Sequence, residues 1–99
     1  MRSPSYTGQF KRDVDLAEKR GKDMSKLRAV IELLLTGEPL SRELGDHPLK
    51  GEWKPSRDLH IKSDWILIYR VDGDAVCFER TGAHSNLFGK MTGPNSEQK

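Results

Sequence analysis

Residues 57–88 decide the fold and read RDLHIKSDWILIYRVDGDAVCFERTGAHSNLF. Residues 58–62 alternate polar and apolar side chains, which is the pattern of a strand with one buried and one solvated face. Residues 65–71 are largely apolar on both faces and predict a central strand. A hairpin turn at 71–74 leads into a last strand that ends at Thr81-Gly82. The stretch therefore predicts three consecutive strands of one sheet.

All three histidines of the chain lie in or beside this predicted sheet. His60 falls in the first strand, His84 follows the last one, and His47 lies upstream in the segment DHPL. Because imidazole titrates near neutral pH, one histidine can accept a proton while another donates one. Asp64, between the first two strands, can orient a histidine or share its proton. These residues favour a general acid/base site.

Basic residues near the histidines indicate a phosphate substrate. Arg57, Arg80 and several lysines are close to them in the sequence. A cation can stabilise the charge that develops on a phosphate during its reaction. The natural reaction for such a set is phosphodiester cleavage, in which one group deprotonates a 2′-hydroxyl and another protonates the leaving 5′-oxygen.

Simpler interpretations of the same residues stay open. A metal site is disfavoured, because the histidine spacings of 13 and 24 residues match no compact zinc motif and the chain has no CxxC. Taken singly, His47 is as typical of a loop residue before proline, and His60 of an exposed strand position. Asp64 alone is more typical of a residue that begins a turn. His84 is less easily explained by packing.

The residues before the sheet predict a helical hairpin followed by a long loop. Thr7 can cap a helix whose apolar residues recur at spacings of three and four as far as Gly21. Asp23 can cap a second helix with a wide apolar stripe. Residues 2–6 are either a frayed end or an edge strand. Residues 38–55 predict a long loop with a few apolar anchors.

Composition limits the chain to one modest domain. It has 99 residues, of which 32% are charged and 34% hydrophobic, as in a small protein with a thin core. The lone Cys77 allows no internal disulfide and the N-terminus has no apolar signal-peptide core, so we expect a cytoplasmic protein. The net charge is +2, but basic residues outnumber acidic ones eight to four in residues 1–30. Such a surface either keeps a protein soluble or contacts nucleic-acid phosphates.

Four motifs in order carry a family resemblance: DHPL at 46–49, RD-x-H at 57–60, DWILIY at 64–69 and FERTG-x-H-x-x-LF at 78–88. In these motifs, and over almost all of residues 6–89, the chain resembles the RelE superfamily of bacterial toxins, specifically its YafQ-like mRNA interferase branch. The resemblance implies an α+β fold, with two N-terminal helices packed on a small, mostly antiparallel sheet of about four strands. It implies a single domain over residues 1–89, and we expect residues 90–99 to be a mobile tail.

The resemblance also implies an activity. Toxins of this branch are ribosome-dependent endoribonucleases that cut mRNA in the A site, leaving a 2′,3′-cyclic phosphate and a 5′-hydroxyl without a metal or cofactor. By position, His47, His60, Asp64 and His84 match the catalytic set. His84 is then the strongest candidate for the general acid, and His60 and Asp64 are candidates for activating the 2′-hydroxyl.

Further contacts and partners follow from the same resemblance. Arg80, Phe88 and Arg57 are expected to contact RNA or its phosphates. The basic helices would face ribosomal RNA through Lys11, Arg12, Lys19, Arg20, Lys22 and Lys26. The implied partner is a cognate antitoxin that covers the site and often binds operator DNA as a ribbon-helix-helix dimer. The alternative is a relative that keeps the fold but only binds, such as a gyrase-directed toxin or an RNA-binding module.

Overall fold

The computed structural model describes residues 1–88, apart from the side chains of Asn86 and Phe88. The elements in chain order are β1 (Ser3–Tyr6), α1 (Gly8–Lys19), α2 (Met24–Thr36), β2 (His47–Pro48), β3 (Arg57–Lys62), β4 (Trp65–Asp72), β5 (Ala75–Gly82) and α3 (His84–Phe88). Two short 3-10 turns, Arg42–Leu44 and Gly51–Trp53, flank β2. The tail predicted at residues 90–99 lies outside the described residues.

The strands form one mixed sheet in the order β1-β5-β4-β3-β2. β1 runs parallel to β5, and every other neighbouring pair is antiparallel. The predicted α+β fold with a mostly antiparallel sheet is confirmed, and β4 is the central strand as predicted. The sheet has five strands where about four were expected. The reason is that β1 and β2 have only four and two residues, which is too short for a clear period-two pattern.

Both predicted helices are present, and the predicted side-chain caps begin them. The Thr7 side chain accepts a hydrogen bond from the Phe10 amide at 2.9 Å, and Asp23 accepts one from the Ser25 amide at 3.1 Å. These amides have no partner within the helix, so each cap satisfies a group that is otherwise left open. α3 was not predicted, because five residues are too few to show helical periodicity. No helix within residues 1–88 is long and apolar enough to cross a bilayer.

α1 and α2 cover one face of the sheet, which we call the helix face. Leu59, Leu67 and Phe78 of the three long strands are fully buried there, packed against side chains such as Phe10 and Leu27 of the helices. This cluster is the main core of the domain. It uses the apolar positions that alternate along β3 and β5, as the period-two pattern predicts.

The opposite face of the sheet, which we call the second face, is covered by a smaller cluster of apolar side chains. Ile66 and Ile68 of β4 are buried there against Leu87 of α3, with the half-buried Leu49 and Trp53 packed beside them. Part of the predicted long loop at 38–55 therefore folds over the sheet, with β2 as its point of attachment. The loop and α3 bring polar residues to the second face from two sides.

Candidate active site

Strand pairing places two histidines beside a carboxylate on the second face. In β3, Asp58 and His60 lie directly opposite Ile68 and Ile66, so they project to the same side of the sheet. His47 of β2 pairs with Asp58 from the other side. Neighbouring strands are about 5 Å apart. The sheet therefore brings His47, Asp58 and His60 into one patch.

Asp58 is the buried group of this patch. Its side chain is only 4% exposed, and its Oδ1 lies 3.0 Å from His47 Nδ1. The same Nδ1 also lies 2.9 Å from the carbonyl oxygen of Gly45. A ring nitrogen carries at most one proton. The contact with Gly45 has hydrogen-bond geometry, whereas Asp58 Oδ1 has no aligned hydrogen-bond partner among residues 1–88. A buried, unbonded carboxylate oxygen is costly, which makes Asp58 a candidate functional group.

The three histidines surround this carboxylate electrostatically. Burial raises the pKa of Asp58, and the charges of His47, His60 and His84 act in the opposite direction. Residues that are 13 and 24 positions apart in the chain therefore act on a single buried anion. An imidazole that takes up a proton during a reaction becomes positive, and the Asp58 carboxylate stabilises that charge.

Sequence reasoning missed Asp58, which it treated as an ordinary polar position of the first strand. A signal was available, because the period of two along a strand puts Asp58 and His60 on the same face. Its burial could not be predicted, since the segment that covers it belongs to the loop around β2. That packing depends on contacts between residues distant in the chain.

Gly45 lies next to both His47 and His60. Its φ of 61° is in the left-handed region that favours glycine, and a Cβ atom there would lie 3.5 Å from His60 Cδ2. His60 also lines a hollow of about 490 Å³ that includes Lys62 at the end of β3 and Ser63 of the β3–β4 turn. The Gly45 carbonyl oxygen thus faces the His47 ring, and the Gly45 Cα lies on the side of the His60 ring.

His84 reaches the patch because α3 folds over the second face directly after β5. Leu87 is buried against Ile66 and Ile68, and its amide donates to the Ala83 carbonyl at 3.1 Å. Leu87 Cδ2 lies 3.4 Å from where a Cβ of Gly82 would be, so the glycine allows close packing at this point. The exposed His84 is the first residue of the helix.

Known proteins are similar to this chain in sequence. The sequence model of a family described as "Bacterial toxin of type II toxin-antitoxin system, YafQ" matches residues 2–89. The chain belongs to the YafQ toxin family. It is 49% identical to the mRNA interferase toxin YafQ of Escherichia coli (strain K12) over 90 residues, which cover 90% of this chain and 98% of the relative. The resemblance seen in the sequence motifs is therefore confirmed.

Solved structures of related toxins have the same fold. The toxin in a crystal structure of the E. coli DinJ-YafQ complex matches with a TM-score of 0.84 and 49% identity, covering 90% of this chain and 100% of the other. A copper-bound mutant toxin from Helicobacter pylori matches with a TM-score of 0.85 and 42% identity, covering 89% of this chain and 100% of the other.

Arg57 is not brought to the histidines in this member of the YafQ family. It lies opposite Tyr69 in the strand pairing, and both project to the helix face. Its guanidinium donates to the Asp46 carboxylate at 2.9 and 3.3 Å. The residue expected to bind phosphate is therefore paired with a carboxylate on the other side of β3 from His60.

Asp64 and Arg80 line a separate groove of about 380 Å³. Arg80 donates two hydrogen bonds, at 2.8 and 3.1 Å, to the buried carboxylate of Asp13. Asp64 is exposed in the β3–β4 turn, and Ala83, the residue before His84, lines the same groove. The groove therefore ends at the start of α3, which places Asp64 and Arg80 on that side of the histidine patch.

The remaining predicted contact residues lie on the helices or, for Arg20 and Lys22, between α1 and α2. Five of the six basic residues predicted to contact ribosomal RNA have exposed side chains, namely Lys11, Arg12, Lys19, Arg20 and Lys26. Lys22 is half-buried, with its ammonium 5.5 Å from the centroid of the Trp65 ring. Phe88 belongs to α3, and its side chain is outside the described part of the chain. Within residues 1–88, no group of three or more His, Cys, Asp or Glu side chains is arranged to hold a metal ion.

Proposed function

We propose that this toxin is a ribosome-dependent endoribonuclease that cleaves mRNA in the A site by metal-independent acid/base catalysis. The observation that carries the proposal is the set of three histidines around the buried Asp58 on one sheet face. The E. coli relative at 49% identity is named an mRNA interferase toxin, which supports the same activity here. A protein that only binds RNA has no need of several proton-transfer groups around a buried carboxylate.

The proposed reaction is a transesterification followed by release of the leaving strand. His60 or Asp64 removes the proton of a ribose 2′-hydroxyl, and the 2′-oxygen attacks the adjacent phosphorus. The bond from phosphorus to the 5′-oxygen breaks, and His84 donates a proton to that oxygen. The products are a 2′,3′-cyclic phosphate and a 5′-hydroxyl. Asp58 stabilises the imidazolium forms, and Arg80 is a candidate to stabilise the charge on the phosphate.

The decisive experiment is cleavage of a defined mRNA in a purified translation system, mapped by primer extension. We expect the wild type to cut within codons only when ribosomes are present. His84→Ala should lower the cleavage rate by about 100-fold or more, because it removes the general acid. Ser85→Ala, a substitution of the next exposed residue of α3, serves as the matched control and should cleave like the wild type.

Two further arms test the remaining parts of the proposal. Naked mRNA should stay intact, and its cleavage would contradict ribosome dependence. Toxin that is treated with a chelator and then desalted should keep its activity, and a loss that added copper or zinc restores would contradict metal independence. A folded wild type that leaves the message intact on ribosomes would overturn cleavage and favour a toxin that only binds.

The proposal includes two classes of partner. The ribosome would be contacted through the basic residues of α1 and α2, and Phe88 would contact the RNA. The second partner is a cognate antitoxin that covers the histidine patch and binds operator DNA as a ribbon-helix-helix dimer. The crystal structure of the related E. coli DinJ-YafQ complex supports an antitoxin partner. Co-expression with the candidate antitoxin should give a complex in which cleavage is inhibited.

A further inference from the structure

A polar cluster on the helix face holds the residue before His47. Asp46 accepts two hydrogen bonds from Arg57, from Nε at 3.3 Å and from Nη2 at 2.9 Å, and a third from the Tyr69 hydroxyl. We call these three residues the Asp46 clamp. A planar guanidinium that binds one carboxylate through two nitrogens fixes its orientation as well as its position.

The clamp is anchored at the centre of the sheet. Arg57 and Tyr69 are direct partners across β3 and the central strand β4. Tyr69 is only 2% exposed and packs in the main core. Burial raises the pKa of Tyr69 well above its ordinary value, so the hydroxyl keeps its proton and remains a donor. Asp46 is therefore tied to a position that cannot shift without moving the core.

Backbone pairing attaches β2 to the sheet at few points. The strand has two residues, and the second is Pro48, which has no amide proton to donate to the ladder. His47 pairs with Asp58 and Pro48 with Arg57, and just beyond them the Leu49 amide donates to the Ser56 carbonyl at 2.9 Å. The side chain of Asp46, adjacent to His47, supplies the additional attachment.

With the backbone held in this way, the two ring nitrogens of His47 have different surroundings. Nδ1 lies 2.9 Å from the Gly45 carbonyl oxygen and 3.0 Å from Asp58 Oδ1, and a hydrogen bond to either acceptor requires a proton on Nδ1. In a neutral imidazole the other nitrogen, Nε2, is then a proton acceptor. The side chain is 53% exposed, so a substrate on the second face can approach the ring.

We infer that the Asp46 clamp is a positioning device that holds His47 in the Nδ1-protonated tautomer and leaves Nε2 as a hydrogen-bond acceptor for the RNA. Arg57 acts through Asp46 and His47, and it is not a phosphate ligand. The inference rests on the proposed function for the role of Nε2, while the tautomer of His47 can be measured independently of any cleavage.

Arg57→Lys is the variant that separates the two roles of Arg57. It keeps the positive charge, so a phosphate contact would largely survive, but it removes the two-nitrogen contact with Asp46. Arg70→Lys is the matched control, because Arg70 is a strand arginine of similar exposure that pairs with Glu79 at 3.7 Å. Tyr69→Phe is a second clamp variant that removes only a hydroxyl.

The first readout is the ¹⁵N chemical shifts of the His47 ring, which report its tautomer, in the full-length protein. In the wild type and Arg70→Lys, we expect the neutral ring to be protonated on Nδ1. In Arg57→Lys and Tyr69→Phe, we expect a mixture of tautomers. The second readout is ribosomal cleavage, where the clamp variants should lower kcat by about 10- to 100-fold, as expected when a reacting group is misplaced, with little change in KM.

Each outcome either supports or overturns the inference. Unchanged His47 shifts in both clamp variants would overturn it, whatever their cleavage rates. A raised KM with unchanged kcat in Arg57→Lys would also overturn it and make Arg57 a phosphate ligand. If the wild type cleaves no RNA, the proposed function fails, while altered tautomers in the clamp variants would still support the positioning of His47.

Discussion

Asp58 shows how a residue of a candidate active site can oppose the stability of the fold. Its carboxylate is buried, and this burial raises its pKa. A group whose pKa is raised by folding stabilises the fold while it is protonated, below its unfolded-state pKa. That contribution is lost as the pH rises through the folded-state pKa, so the ionised Asp58 lowers the free energy of unfolding near neutral pH. Active sites commonly retain groups of this kind.

Replacing Asp58 with Asn should therefore separate activity from stability. Asp58→Asn removes the negative charge beside the histidines, and we expect cleavage to fall by about 100-fold. At pH 7 the variant should unfold at a higher denaturant concentration than the wild type. The difference should vanish below the unperturbed pKa of 3.8, where both side chains are neutral. Denaturant unfolding between pH 3 and 8 measures this, with the exposed Asp72→Asn as control.

A variant that is less stable than the wild type at pH 7 would contradict this prediction. It would mean that favourable contacts of the ionised carboxylate, such as that with His47, outweigh the unfavourable effect of burial. Full cleavage by a folded Asp58→Asn protein would remove Asp58 from the proposed site.

At the scale of elements, α1 closes a strand edge that β1 leaves open. β1 pairs only with residues 75–78 of β5, so the rest of β5 lacks a strand on that side. The Thr7 hydroxyl donates to the Glu79 carbonyl at 2.8 Å, and the Thr81 amide donates to Asp13 at 3.2 Å. Open strand edges promote pairing with other chains. The first turns of α1 thus serve both as helix start and as edge cover.

Asp13 is the central residue of this contact, since it also accepts the two hydrogen bonds from Arg80. Asp13→Ala should lower the free energy of unfolding by about 3 kcal/mol, because it leaves a partly buried arginine and a buried amide without their partner. Asp15→Ala, an exposed site on the same helix, should change it by less than about 0.5 kcal/mol. Urea unfolding of both variants checks this, and equal effects would show that the contact does not anchor α1.

Elements with local signals were predictable from the sequence, and contacts between distant segments were not. Thr7 and Asp23 begin helices because their caps depend on residues two or three positions away. β2 and α3 are too short for periodicity and are held in place by packing on the second face. The histidines were predicted as candidates from their residue type and their positions in the sequence. The burial of Asp58 and the pairing of Arg57 with Asp46 were not predicted, because both depend on contacts between distant segments.

For the whole molecule, most of the excess basic side chains and the histidine patch lie on different sides of the sheet, whereas Arg20 and Lys22 line the groove that contains Asp64 and Arg80. The basic residues that exceed the acidic ones in residues 1–30 lie largely on α1 and α2, which cover the helix face. The histidine patch lies on the second face. In the proposed function, the toxin would be held to ribosomal RNA by the helix side and would present its reacting groups to mRNA on the other side. Binding and cleavage should therefore respond to different substitutions.

Arg12→Gln tests this division at an exposed residue of α1. If Arg12 contacts an RNA phosphate, its loss should weaken ribosome binding and reduce the slope of log affinity against log salt by about 1, with cleavage at saturating ribosomes unchanged. Arg28→Gln changes the net charge equally, at an exposed residue of α2 outside the predicted contact set. Binding measured over a range of salt concentrations distinguishes the two. Each phosphate contact releases a counterion and so contributes to the slope of log affinity against log salt. Equal slopes in both variants would therefore mean that net charge, and not a specific phosphate contact, attracts the ribosome.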